Sequence, residues 1–142
     1  MNARPTACNY AMLRFLPYPE TGEFVNVGVL VNCLQPCLLE FQMEQEMPDR
    51  VKALFPRQHA GTFHDAARAM REEMERVKRM IRDSKSCQLA FREAVRPRES
   101  VLRFGEPRTI LTDNPAKLAG DLFRRYVRME QPTSNDPHLA GA

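Results

Sequence analysis

Two cysteines and two histidines are of the residue types that most often bind a metal ion in proteins. Cys33 and Cys37 are separated by three residues, and His59 and His64 follow further along the chain. Structural zinc sites usually combine two tight ligand pairs, each with a gap of about two to four residues. The histidine pair is spaced more widely, and His64 falls inside a predicted helix. We therefore expect no metal centre and no cofactor, and we interpret Cys33 as a small buried hydrophobe.

The sequence also lacks the motifs that are typical of nucleophilic catalysis and of nucleotide binding. The sequence has neither a Gly-x-Ser-x-Gly elbow nor a glycine-rich phosphate loop. The acids Glu72, Glu73 and Glu75 belong to the charged face of a predicted helix. With 142 residues, 43% of them hydrophobic, and a net charge of +3, the chain has the composition of one globular domain. We expect a folded protein that is not an enzyme.

Hydropathy and cysteine usage bear on the location of the protein. No apolar run reaches the length of about 20 residues that a membrane span needs. The first residues lack the apolar core of a secretory signal. Four cysteines without such a signal predict free thiols in a reducing compartment. We expect a cytoplasmic protein that does not bind membranes.

Hydrophobic periodicity predicts the elements that would position any functional residue. Strands are predicted at 9–16, 23–33, 38–43, 101–104 and 108–111, and helices at 48–55, 62–83, 88–95 and 115–129. Short connections favour antiparallel pairing. We predict an α+β fold, an antiparallel meander of about five short strands with the 62–83 and 115–129 helices packed on one side. We also predict that residues 1–130 form one domain and that 131–142 form a flexible C-terminal tail.

The longest predicted helix carries a narrow apolar stripe. Its members are Phe63, Ala67, Met70, Met74, Val77 and Ile81. Such a stripe is typical of a helix packed on a sheet, and also of a coiled-coil seam. Packing on the sheet is favoured, and a monomer or a dimer through the 62–83 helix remain the two alternatives.

The second strand has a mixed composition that requires an explanation. Alternation predicts one face made of valines and Cys33, and another face that contains Asn26 and Gly28. A structural role is favoured for this face, with Gly28 leaving a notch for a neighbouring element. The alternative is a polar ligand or partner group bound there. Its candidate binding residues are Arg14, Glu23 and Asn26.

A basic segment supports a second class of function. Residues 76–108 contain ten basic and four acidic residues. A nucleic-acid-binding protein, or a partner or inhibitor of a nucleoprotein complex, would use this charge on phosphates. Its candidate contacts are Arg76, Arg79, Arg82, Lys85, Arg92, Arg96 and Arg98. Interleaved glutamates and few aromatic residues disfavour this alternative, and a non-enzymatic protein-interaction domain is the leading prediction.

Several stretches together resemble a known family. The opening Tyr10-Ala-Met-Leu-Arg-Phe-Leu-Pro17 and the stretch Gly22-Glu-Phe-Val-Asn-Val-Gly-Val-Leu30 resemble the start of a bacterial family, the domain of unknown function 3037. The likeness returns at 100–104, 112–115 and 122–126. The resemblance supplies no catalytic residues. It implies a regulatory partner, a HipA-like kinase in a toxin–antitoxin-like context, and it marks Arg14, Gly22, Glu23, Phe24, Asn26 and Gly28 as positions to test.

Overall fold

A computed structural model describes residues 5–130 of the chain. Its strands are β1 (Thr6–Phe15), β2 (Val25–Leu34), β3 (Cys37–Met43), β4 (Leu102–Phe104) and β5 (Arg108–Thr112). Its helices are α1 (Asp49–Leu54), α2 (Ala60–Arg79), α3 (Ser84–Ala94) and α4 (Pro115–Leu122). A 3₁₀ turn spans Pro19–Thr21, and a π-helical segment, Phe123–Val127, continues α4. The predicted tail, 131–142, lies outside the described residues.

The five strands form one antiparallel sheet around β1. The order across the sheet is β3–β2–β1. Both β4 and β5 pair with the other edge of β1. The residues of β5 lie opposite the first half of β1 and those of β4 opposite its last three residues, 13–15. Because every pairing is antiparallel and the helices follow the meander, the predicted α+β class and the five-stranded antiparallel sheet are confirmed.

Helices cover both faces of the sheet, so the prediction that they pack on one side is wrong. Alternate β1 residues Ala11, Leu13 and Phe15 are buried in clusters with α1, α2 and α3. Cys8 lies in a different cluster, with Leu118 of α4 and the π-helical segment. β1 is apolar on both sides, which is the pattern of a strand buried on both faces. The sheet therefore needs a helical layer on each face.

A bulge in β2 breaks the predicted single face of valines. Leu13 lies opposite Gly28 and Arg14 lies opposite Asn26, so Val27 is the extra residue. Val27 packs with Leu13 in the cluster formed with α1 and α2, whereas Val29 packs under α4. A bulge adds one residue to a strand and changes the direction of the side chains beyond it. Asn26 and Gly28 therefore lie on opposite faces, and their predicted common face does not exist.

Helix α2 buries its apolar stripe within its own chain. It begins at Ala60 rather than Thr62, with His59 at the N-cap position and no side-chain cap bond. Phe63 and Met74 are buried against the same face of the sheet. Because these side chains already pack on β-strands, the stripe is not free to act as a coiled-coil seam.

The cysteines form one disulfide and one pair of free thiols. Cys8 and Cys33 lie opposite each other on β1 and β2, with 4.4 Å between their Cα atoms, and are disulfide-bonded. Cys37 and Cys87 are free. The prediction of four free thiols is wrong for the first pair, because antiparallel pairing brings together cysteines that are 25 residues apart in sequence. A cytoplasmic location stays a prediction.

Candidate binding cleft

One end of the α4 face of the sheet is left open. Helix α4 and the π-helical segment cover Cys8, Val29 and Val31, and beyond them the sheet surface forms a cleft of about 260 Å³. We call this the Arg14 cleft. It is lined by Tyr10, Met12, Arg14, Asn26, Gly105, Glu106, Arg108 and Tyr126.

The Arg14 side chain is held in place but has no hydrogen-bond partner within residues 5–130. Its guanidinium carbon lies 4.1 Å from the centre of the Phe24 ring. A methyl group built on Gly105 would lie 2.6 Å from Cζ and 2.9 Å from both Nε and Nη2, so the backbone of Gly105 packs against the flat guanidinium. The Nε atom is buried without a partner, and no acidic side chain among residues 5–130 pairs with Arg14. The fixed, unpaired N–H donors suit an anionic group from another molecule.

Asn26 reaches this cleft because of the bulge at Val27. Strict alternation counted back from Val29 would place Asn26 on the other face of the sheet, away from α4. In the structure Asn26 is instead the cross-strand partner of Arg14 and lies on the same face as Arg14. Arg50 donates a hydrogen bond of 3.2 Å to the Asn26 main-chain oxygen, which fixes the backbone. The side-chain Oδ1 is buried and has no hydrogen-bond partner within residues 5–130. Buried polar atoms are nearly always satisfied, so an unsatisfied acceptor and an unsatisfied donor on paired residues make this cleft a candidate binding site.

Two tyrosines form the wall of the cleft next to α4. Tyr126 lies in the π-helical segment, a distortion that often occurs at functional sites. Burial and then the neighbouring Tyr126 raise the pKa of Tyr10 above its ordinary value of 10.0, while Arg108 and Arg125 act in the opposite direction. Tyr10 is therefore a neutral hydroxyl at neutral pH, in the positive field of two arginines.

The structure separates the three predicted binding residues. Arg14 and Asn26 line the Arg14 cleft, whereas Glu23 lines another pocket, of about 300 Å³, with Tyr18, Leu54 and neighbouring residues. Sequence reasoning missed Tyr10, Gly105, Arg108 and Tyr126. The stretches that contain Tyr10 and Tyr126 carried the family resemblance, but nothing in the sequence linked them to Arg14.

The predicted nucleic-acid residues do not form a uniform positive surface. Arg76 pairs with Glu73, Arg96 with Glu93, and Arg98 lies 3.8 Å from each of these carboxylates. The other four cations, Arg79, Arg82, Lys85 and Arg92, form no salt bridge within residues 5–130. Lys85 nevertheless contributes, after Ser86, to the lowered pKa of Asp83. The two carboxylates therefore offset two of the three positive charges of Arg76, Arg96 and Arg98, which lowers the attraction for phosphates.

The cysteine pair outside the disulfide has its own environment. Asn32 donates a 3.1 Å hydrogen bond to Sγ of Cys87, which in turn donates to the Leu38 carbonyl oxygen. Burial, and next the adjacent Cys37, raise the pKa of the Cys87 thiol to about 12. Cys87 is therefore protonated and weakly nucleophilic. Within residues 5–130 no group of three or more His, Cys, Asp or Glu side chains is arranged to hold a metal.

The fold and the cleft define a class of protein: an α+β domain with a sheet covered on both faces and one open, arginine-containing end. The family model of the "protein of unknown function (DUF3037)" matches residues 10–127, and the chain belongs to that family. The match includes every residue of the Arg14 cleft. No curated protein and no solved structure matches the chain. Of the helices within residues 5–130, none has the length and apolar character to cross a membrane.

Proposed function

We propose that this protein is a non-enzymatic interaction domain that binds another protein through the Arg14 cleft. The observation that supports the proposal is the pair of buried, unsatisfied atoms, Arg14 Nε and Asn26 Oδ1, in one cleft. Leaving a buried polar group unpaired costs about 1–3 kcal/mol, and more for a charged group. A partner that satisfies both atoms recovers this free energy on binding.

Pre-organisation of Arg14 strengthens the proposal. Phe24 and Gly105 hold the guanidinium in one position before any ligand arrives. An immobilised side chain does not lose its conformational entropy on binding, which otherwise costs about 0.5–1.5 kcal/mol. Arginine is also enriched among the residues that dominate the energies of protein interfaces.

The family resemblance suggests a regulatory partner, a HipA-like kinase. A direct test uses the tagged protein as bait for this kinase and for the proteins of its source cell. Three baits are compared: the wild type, Arg14→Gln and Arg92→Gln. Arg92 lies exposed on α3, so its replacement removes the same charge at a site away from the cleft. We expect the partner to be retained by the wild type and Arg92→Gln and lost by Arg14→Gln.

Two results would contradict the proposal. Equal capture by all three baits would show that the Arg14 cleft is not the interface. Capture of nucleic acid alone, weakened by Arg92→Gln and by added salt, would instead favour the basic segment at 76–108. Melting curves of the three baits show whether any loss of capture comes from unfolding.

Asn26→Ala separates a binding role from a scaffold role. Because Oδ1 has no partner in the fold, removing it strands no hydrogen-bonding group. We expect an unchanged melting temperature and reduced capture of the partner. A large loss of stability would instead mean that the side chain supports the bulge.

A further inference from the structure

We propose, on the basis of the function proposed above, that the group bound in the Arg14 cleft is an acidic residue of a polypeptide. Its carboxylate pairs with Arg14, and a main-chain N–H of the same segment donates to Asn26 Oδ1. Three properties of the cleft support this choice: its charge, its unpaired acceptor and its size.

The charge of the lining matches one carboxylate. Arg14 and Arg108 are positive and Glu106 is negative, which leaves a net charge of +1 among the lining residues. A carboxylate carries one negative charge at neutral pH, whereas a phosphoryl group carries about two. The planar fork of an arginine also pairs with a carboxylate through two parallel hydrogen bonds. A phosphoryl dianion would bring a second negative charge towards Glu106.

The unpaired acceptor selects against a simple anion. Asn26 Oδ1 needs a donor, and neither a carboxylate nor the dianion of a phosphomonoester has one. A peptide has an N–H group at every residue except proline. A segment with an acidic side chain therefore supplies, within one residue or its neighbour, both the acceptor for Arg14 and the donor for Asn26.

The size of the cleft limits what it can hold. Its volume of about 260 Å³ is slightly below the range of about 300–1,000 Å³ that is typical of sites for whole small ligands. A single side chain with its adjoining peptide group fits this space. Tyr10 and Tyr126 provide aromatic surface for the methylene groups of the side chain, as hydrophobic walls do in most binding pockets.

The test is a nuclear magnetic resonance titration of the full chain, which follows the Nε–H of Arg14 and the side-chain amide of Asn26. The probes are N-acetyl-glutamate N-methylamide, its glutamine counterpart and methyl phosphate, near pH 7.5, where a carboxylate with a pKa of about 4.3 is ionised and a phosphomonoester with a second pKa of about 6 is a dianion. We expect saturable shifts of both signals with the glutamate probe. The glutamine probe and methyl phosphate should bind at least about tenfold more weakly, because a charge-assisted pair is lost or an acceptor is left unpaired.

Three results overturn the inference. These are equal binding of the glutamate and glutamine probes, tighter binding of methyl phosphate, and no saturable shift up to about 50 mM probe, a dissociation constant that corresponds to less than about 2 kcal/mol of binding free energy. Arg14→Gln serves as the control and should abolish the preference for glutamate.

The titration and the capture experiment can fail independently of each other. If capture of the partner depends on Arg14 but the glutamate probe shows no preference, the interaction domain stands and the acidic ligand is wrong. If the probe binds as expected but capture does not depend on Arg14, the chemistry of the cleft stands and its role in the interaction is wrong.

Discussion

Replacing Gly28 with alanine sets two opposing effects on the free energy of unfolding against each other. Glycine inside a strand costs about 0.5–1 kcal/mol relative to alanine, because the unfolded chain has more freedom to lose. By that effect alone, Gly28→Ala would stabilise the protein. However, a Cβ atom at this position would lie 2.8 Å from Cβ of Met43 and 2.9 Å from the main-chain oxygen of Gln42.

These neighbours cannot move away independently. Both contacts belong to β3, and Leu13 of β1 lies 3.3 Å away on the other side. Ordinary contact begins near 3.4 Å, so β3 would have to shift by about half an ångström while paired to β2. Overpacking of this kind costs about 1–3 kcal/mol. We expect a net loss of about 1–2 kcal/mol for Gly28→Ala and about 3 kcal/mol or more for Gly28→Val.

Urea unfolding followed by circular dichroism measures these changes. In a domain of this size each kcal/mol also lowers the melting temperature by about 3 °C. Gly61→Ala is the matched control, because Gly61 lies in the first turn of α2 and a Cβ there would meet nothing within 4 Å. The control should be equally or more stable than the wild type. If Gly28→Ala also proved more stable, our assignment of Gly28 as a close-packed position would be wrong.

Three further predictions concern the cleft, the disulfide and the cap of α3. Gly105→Ala should displace the guanidinium of Arg14 and reduce partner capture. The melting temperature should change little, because the clashing atoms are the end of a side chain. Unchanged capture would contradict the role of Gly105 in positioning Arg14. Reduction of the wild type should lower the free energy of unfolding by about 3.5 kcal/mol, the loop-entropy value for a separation of 25 residues. Cys8→Ala should remove this sensitivity to reductant, and an insensitive wild type would refute the prediction. Hydrogen bonds from the backbone and then the side chain of Ser86 lower the pKa of Asp83 below its ordinary value of 3.8, so its stabilising effect is complete above that value and is lost as the pH falls through the lower folded value. Acid unfolding of the wild type should therefore be steeper than that of Asp83→Asn, and identical pH profiles would count against the role of the carboxylate.

Much of the candidate site lay beyond prediction because two local irregularities create it. Alternation placed Asn26 and Gly28 on one face, and the bulge at Val27 placed them on opposite faces. The helix at 115–129 was predicted as regular, and its π-helical segment carries Tyr126. A bulge or a π-helical turn adds one residue to a period, and hydrophobic spacing does not mark where that residue is added.

The sequence by itself determined the type and order of the main strands and helices, the antiparallel α+β class and the family, and it selected Arg14 and Asn26 as residues worth testing. These properties follow from local periodicity, from turn residues and from short motifs. Only the tertiary structure decided the separation of Glu23 from these two residues, the disulfide between Cys8 and Cys33, and the packing of helices on both faces. Each of these depends on strand register and on contacts between residues distant in sequence, because a shift of one residue in a strand reverses the face of every side chain beyond it.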